Sequence, residues 1–280
     1  MAEQRDRSIR LNIGGKVVES IGGSGHSLRV AFDIGRDKKP DPNTAEIAVY
    51  GLSESSRSRI TENTAGNTVS LEVGYQDDLQ QIFFGVLRRA ETVRNGPDVI
   101  TRVFSGDGED QIVSSRINKS FAKGTPVGSV LQELTKAMGF GPGNSALFSF
   151  GASLDGVGRT LKHGVALNGP AAEELNLFCK SLGLEYSIQN GAVQILSEGG
   201  ALASAGPFIS PKTGLIGSPE IDSDGNVLGT ALILPNLLPG VPFALQSEKV
   251  SGKFVAEVTK HYGDTHDQAW YVDFKGKPLG

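Results

Sequence analysis

The stretch GKFVAEVTKHYGDTHDQAWYVDFKGK, residues 252–277, admits two readings that lead to different proteins. In one, His261, Asp264, His266 and Asp267 stand within seven positions beside Trp270, the only tryptophan of the chain, and gather into a metal or catalytic site. In the other, 252–261 and 269–275 are two strands joined by a polar turn. Zinc asks for three or four ligands in tetrahedral geometry, and His261, His266 and Asp264 would supply three. Histidines that share a metal from one helix stand at i and i+4, whereas these stand at i and i+5 with Gly263 and Asp264 marking a turn between them. The strand–turn–strand reading is the better one: the Asp and Thr side chains of YGDTHDQ bond neighbouring amides, and Trp270 opens the next strand as a packing residue.

Outward from this hairpin the same punctuation recurs. LGTALILPNLLPGVPFALQS, 228–247, alternates strand-like apolar runs with Pro-Gly turns. In the N-terminal third, apolar and polar residues alternate from Ile9 to Val18 and from Ser27 to Ile34, where Leu28, Val30, Phe32 and Ile34 share one face. Ile47 and Val49 mark another strand, followed by Ser53 as the N-cap of a short helix with Glu54 in its first turn. The runs 67–75, 80–96 and 98–108 are bounded by Gly, Asn or Asp and read as strands. With 37 glycines and few aromatics, tight turns between short strands are expected to dominate and helix to be the minority.

The middle of the chain has a different period. Thr125 is placed to cap a helix with Pro126 at its first position, and Val127, Val130, Leu131, Leu134 and Met138 recur at helical spacing. After a loop-rich stretch, a second helix opens at Pro170, with Ala171, Leu175, Phe178, Cys179 and Leu182 as its apolar stripe and Gly183 as its stop. LEYSIQNGAVQIL, 184–196, is a hairpin turning at Asn190-Gly191, because a two-residue type I′ turn needs positive φ at both positions. SEGGALASAGP, 197–207, reads as a linker or exposed loop. No repeat with a period of 20 to 50 residues is evident, which argues against solenoids and propellers.

Composition excludes several function classes. A formal net charge of −4, from 27 Lys and Arg against 31 Asp and Glu, leaves no electrostatic footprint for nucleic acid or anionic membrane. A single cysteine, Cys179, rules out an internal disulfide framework and multi-cysteine zinc, and its apolar neighbours favour a buried structural thiol. The charged N-terminus lacks the apolar core of a signal peptide, and no later run reaches the length of a membrane span, so a soluble protein outside the general secretion route is expected.

The remaining motifs read as turns. Asp222, Asp224 and Asn226 of DSDGN resemble the opening of an EF-hand loop, but the sixth position is Val227 instead of Gly and the twelfth is Ile233 where a bidentate Glu is needed. GDGEDQ, 106–111, gathers three acids with no later ligand at useful spacing and reads as a solvated turn. GGSG, 22–25, and GFGPGNS, 139–145, lack the Lys-Ser/Thr ending of a phosphate loop. His26 and His163 leave Ser-His-Asp chemistry open by inventory alone, yet no G-x-S-x-G elbow is present.

Taken in order, PNTAEIAVYGLSESSRSRI (42–60), VSLEVGYQDDLQQIFFGVLRRAETVRNGPD (69–98), FAKGTPVGSVLQELTKAMGF (121–140), YSIQNGAVQIL (186–196), TGLIGSPEIDSDGNV (213–227), LILPNLLPGVPFAL (232–245) and KFVAEVTKHYGDTHDQAW (253–270) resemble the baseplate hub proteins of bacteriophage tails, the late control protein D and tail hub family. The resemblance runs from about residue 8 to 272. It implies a mainly β fold with an α+β insertion: two tail-tube-like antiparallel β-barrel domains in one chain plus a small helix-containing module. On this reading 1–115 is the first tube-like β domain, 116–204 the inserted α/β module, which in relatives can resemble a LysM-type fold, and 205–280 completes the second tube-like domain. It further implies a non-enzymatic virion protein of the tail baseplate, assembled in the host cytoplasm. This protein would be a homotrimer that joins the sixfold tail tube or distal tail proteins to the threefold central spike and forms part of the DNA-ejection channel, DNA passing without specific binding. No catalytic, cofactor-binding or metal-binding residues and no cofactor are expected. The alternative is a tail-tip cell-wall hydrolase using the 261–267 cluster, or a peptidoglycan-binding module centred on 116–197.

Overall fold

The computed structural model describes residues 7–21, 28–62, 66–75, 78–140 and 159–279. Among them no helix is long and apolar enough to cross a membrane. The chain divides into two compact units, one of residues 1–37, 43–107 and 203–280, the other of 38–42 with 108–202.

The first unit is almost entirely strand. It opens with β1 (Arg7–Ile13) and β2 (Lys16–Ser20), antiparallel neighbours that turn at Gly14 and Gly15, with φ of 55° and 85°. The alternation from Ile9 to Val18 is therefore a hairpin and not one strand, because two successive positive-φ glycines reverse the chain in a type I′ turn. β3 (Val30–Asp37), β4 (Thr44–Tyr50), α1 (Glu54–Glu62), β5 (Thr68–Tyr75), β6 (Asp78–Asn95) and β7 (Asp98–Gly106) follow. Ser53 caps α1 as expected, its Oγ accepting from the Ser56 N–H at 3.3 Å. The C-terminal part adds β12 (Phe208–Ile209), β13 (Leu215–Ile221), β14 (Val227–Leu232), β15 (Pro242–Gln246), β16 (Ser251–Asp264) and β17 (Trp270–Pro278).

Strand order in this unit is β13-β14-β17-β16-β3-β4-β7-β6-β5-β1-β2, with β15 paired to β16 and to the short parallel β12. β16 is the strand that fuses the two strand sets. Its residues Ser251–Val255 pair with β15 and Val258–Asp264 pair with β3, while β17 runs along its other edge. Two apolar cores result. One holds Ile9, Leu11, Ile34, Ile47, Leu71 and Phe83, together with Trp270; the other holds Ile209, Val227, Phe243, Phe254, Val272 and Phe274. Alternation along each strand supplies these inward faces, since a pleat sends successive side chains to opposite sides.

The second unit has its own core. It contains α2 (Glu109–Ser114), β8 (Arg116–Phe121), α3 (Val127–Ala137), β9 (Val165–Pro170), α4 (Ala171–Ser181), β10 (Leu184–Gln189) and β11 (Ala192–Ser197), with β8 paired to β9 and β10 to β11. Val130, Leu131 and Leu134 of α3 meet Leu175 and Cys179 of α4 and Ile188, Val193 and Ile195 of the hairpin. The hairpin turns at Asn190 (φ 54°) and Gly191 (φ 74°), as the Asn-Gly pair predicts. Thr125 does not cap α3. Its Oγ1 donates to the Ala122 carbonyl at 2.8 Å, and the N-cap is Pro126 without a side-chain cap bond. The chain at 159–161 supplies what the cap would have supplied: the Val127 N–H donates to the Arg159 carbonyl, and the Leu161 N–H to that of Thr125.

Candidate functional site

The quoted hairpin folds as two long strands, and each of its chemical side chains has a structural partner. β16 extends three residues past the predicted end, so His261 points into the protein and is fully buried. Its Nε2–H donates to the Leu234 carbonyl at 3.1 Å, a bond that fixes the tautomer because a carbonyl only accepts. Burial, with the Arg36 charge nearby, pushes its pKa down to about 3 and keeps the ring neutral. Two residues on, Gly263 lets the chain pass between rings: a Cβ there would lie 2.7 Å from Trp270 and 2.8 Å from Phe32.

The turn itself is clamped by two arginines. Asp264 accepts the His266 N–H at 2.8 Å, an Asx turn, and pairs with the Arg29 guanidinium at 2.7 Å; this hydrogen bond is the main cause that raises the Arg29 pKa. Arg7, from the first strand of the chain, donates to the carbonyls of Asp264 (2.9 Å), Gln268 (2.9 Å), Ala269 (3.2 Å) and Asp267, and its guanidinium lies 5.4 Å from the Trp270 ring. Trp270 in turn meets Phe32 and Tyr75 edge to face. His266 is exposed and shares a 2.8 Å hydrogen bond with Thr265. His261 is thus buried within β16 while His266 is exposed in the turn. Among the described residues no three His, Cys, Asp or Glu side chains are placed to hold a metal ion.

The other motifs fall apart in similar ways. Asp222 closes its own turn, accepting from the Asp224 and Asn226 N–H groups, while Lys275 at 2.8 Å and these bonds hold its carboxyl well below the usual range. GDGEDQ is not a solvated turn: Asp107 is buried at the end of β7 and Glu109 begins a helix. The sequence carried no sign of this, because the cause is Arg36, a buried cation brought beside Asp107 by strand order; burial lowers the Arg36 pKa to about 10 and the Asp107 charge opposes that shift. GGSG, His26 and most of GFGPGNS lie outside the described residues. His163 is exposed. Cys179 is buried and its thiol is pushed up to about 12 by desolvation, so it should resist an aromatic disulfide reagent in the native protein and titrate only after unfolding; rapid native labelling would contradict its burial.

What the fold does present is an outward sheet face. Across register, Tyr262 stands opposite Asp33, Asp33 opposite Glu46, Glu46 opposite Phe104 and Phe104 opposite Arg89. Lys260 pairs with Asp33 at 2.8 Å, and Arg89 with Glu91 at 3.3 Å while its guanidinium covers the Phe104 ring. These exposed pairs contribute little stability. They give these strands a broad polar surface of exposed charged side chains.

Two β cores fused through one shared strand, with a separate α/β unit inserted between them, define a class: the chain has the fold of phage tail proteins. It is similar to the 43 kDa tail protein of prophage MuSo2 from Shewanella oneidensis, with a TM-score of 0.65, 11% identity and 97% of each chain covered. It is similar also to the tail protein from Neisseria meningitidis MC58, with a TM-score of 0.63, 11% identity, and 97% of this chain and 96% of that one covered. A third similar structure is the E. coli c3393 protein, described as a component of the type VI secretion system with structural similarity to the T4 tail proteins gp27 and gp5; the TM-score is 0.60 at 10% identity, over 96% of this chain and 77% of that one. No family model and no curated protein sequence matches the chain.

Proposed function

We propose that this protein is a non-enzymatic structural component of a phage tail or related contractile injection machine: a homotrimeric baseplate hub that joins the sixfold tail tube to the threefold central spike. The observation that carries the reading is coverage: two tail proteins share the fold along nearly the whole of both chains. The E. coli neighbour, described as a secretion-system component resembling T4 gp27 and gp5, extends the same architecture to an injection machine. In this reading residues 1–115 and 205–280 are the two tube-like β domains and 116–204 the insertion. Its location is the virion tail baseplate, reached by assembly in the host cytoplasm.

The mechanism is geometric. A chain with two β domains counts twice around a ring, so three copies present six, and closed rings leave no free ends. One face docks the tube or distal tail proteins and the other the spike. The outward sheet face lines the lumen, where its balanced exposed charges, Asp33 and Glu46 with Lys260 and Arg89, offer passing DNA no net basic surface to adhere to. Asp33→Lys with Glu46→Lys should slow DNA ejection from particles carrying them; unchanged ejection would remove the lumen assignment.

Light scattering on the purified protein over a range of concentrations tests the assembly. The expected mass is about 88 kDa, three times the 29.5 kDa chain, with threefold rings in electron micrographs. A mass of 29.5 kDa at every concentration and no rings would overturn the homotrimer.

A further inference from the structure

The tripeptide Asn-Gly-Pro occurs twice in the chain, at 95–97 and at 168–170, and a third Asn-Gly pair stands at 190–191. Glycine leaves the side chain of a preceding asparagine open to attack by its own backbone nitrogen, because no Cβ stands in the way. Local sequence treats the first two alike, and the fold separates them. Asn95 is the last residue of β6 and pairs with Asp98 at the tip of the β6–β7 hairpin, where Gly96 and Pro97 make the turn and every residue from 92 to 98 is exposed. Gly96, with φ of 59°, is the first central residue of that turn, whose closing hydrogen bond joins the outer residues and leaves its N–H unused. Neither the Asn95 carboxamide nor the Gly96 N–H has a hydrogen-bond partner among the described residues, and a Cβ on Gly96 would meet nothing within 4 Å. Asn168 is held instead: it lies inside β9, pairs with Asn118, and its N–H donates to Glu174 Oε1 at 3.2 Å. Gly169 pairs with Ile117, the Glu174 carboxylate lies 3.4 Å from where its Cβ would stand, and Pro170 is the N-cap of α4. Asn190 and Gly191 are half-buried in a turn between Ile188 and Val193, both in the core of the α/β unit.

We propose that Asn95 is a spontaneous deamidation site of this protein and that the fold shields Asn168 and Asn190 from the same reaction. The Gly96 nitrogen gives up its proton to water and attacks Asn95 Cγ. The new C–N bond closes a succinimide ring, the Cγ–Nδ2 bond breaks, and ammonia leaves. Water then opens the ring at either carbonyl, giving aspartate or isoaspartate. Ring closure requires the backbone between the two residues to rotate out of the extended strand conformation. At the hairpin tip that rotation breaks only the last ladder pair, at an end that frays at little cost. At Asn168 it breaks pairs inside a strand and forms an amide anion beside the Glu174 carboxylate, which opposes it. At Asn190 it undoes the positive-φ turn that sets the register of a buried hairpin. The product places a new carboxylate directly opposite Asp98, and isoaspartate also adds a carbon to the backbone, so the closing pair of the β6–β7 hairpin weakens as the protein ages.

Peptide mapping of the whole protein tests this, because the three asparagines fall on separate tryptic peptides, 95–102, 163–180 and 181–212. Protein is aged at mildly alkaline pH in two samples, one native, with Trp270 fluorescence showing that it stays folded, and one unfolded in urea. Mass spectrometry then reads the exchange of ammonia for water at each site. The urea sample gives each site's intrinsic rate. With every native rate divided by that site's rate in urea, Asn95 should convert at least about tenfold faster than Asn168 and Asn190. Intact native protein should accumulate a more acidic species that Asn95→Gln does not form, since glutamine would have to close a larger ring. Equal normalised rates at the three sites would overturn the shielding. An Asn95 that stays intact in the native protein, whether or not urea converts it, would overturn the site.

Discussion

Asp107→Asn should lower the unfolding free energy of the β unit by about 3–5 kcal/mol, the cost of leaving a buried charge without its counter-charge. Arg36 and Asp107 are 3% and 1% exposed, at the ends of β3 and β7. Burial pulls the Arg36 pKa down to about 10, and the Asp107 charge is what opposes the shift. The amide keeps the shape and removes the charge, so packing changes are excluded as the cause. Replacing both groups, Arg36→Met with Asp107→Leu, should recover much of the loss, because apolar substitutes need no solvation. Urea unfolding followed through Trp270 reads this cleanly, since the only tryptophan packs in the β core. A loss below about 1 kcal/mol for Asp107→Asn would mean that the guanidinium is satisfied without this carboxylate.

Acid should expose His261 in the same assay. The folded pKa of about 3 lies below the ordinary value of 6.5, so on descending pH the unfolded chain takes up a proton that the folded chain refuses. Its contribution to stability is therefore complete above pH 6.5 and is lost progressively between 6.5 and about 3. The slope approaches about 1.4 kcal/mol per pH unit, which gives a loss of about 2–3 kcal/mol by pH 4.5. His261→Gln, which retains an N–H for the Leu234 carbonyl, should flatten the difference between pH 7 and 4.5 by that amount. An unaltered acid limb in this variant would show that carboxylates alone govern it.

The comparison of the two histidines shows how far the sequence carries. The Gly263-Asp264 pair was enough to read the turn between the two strands, because turn chemistry is local. Why Gly263 is glycine was not legible: the close approach of Trp270 and Phe32 arises only when β3 lies beside β16. Nor was the arginine clamp, since Arg7 stands more than 250 residues from the carbonyls it binds.

By itself the sequence determined what depends on neighbours along the chain: the strand alternation, the Asn190-Gly191 turn, the two helices with their apolar stripes and the Ser53 cap. Tertiary structure decided what depends on distant partners. It let β16 pair with both strand sets, buried Asp107 against Arg36, and gave the α3 terminus the backbone at 159–161 in place of a Thr125 cap. The physical reason is the range of the forces involved. Backbone sterics and turn chemistry act within a few residues, whereas the burial of a charge or the pairing of a strand edge is fixed only when the rest of the chain has arrived.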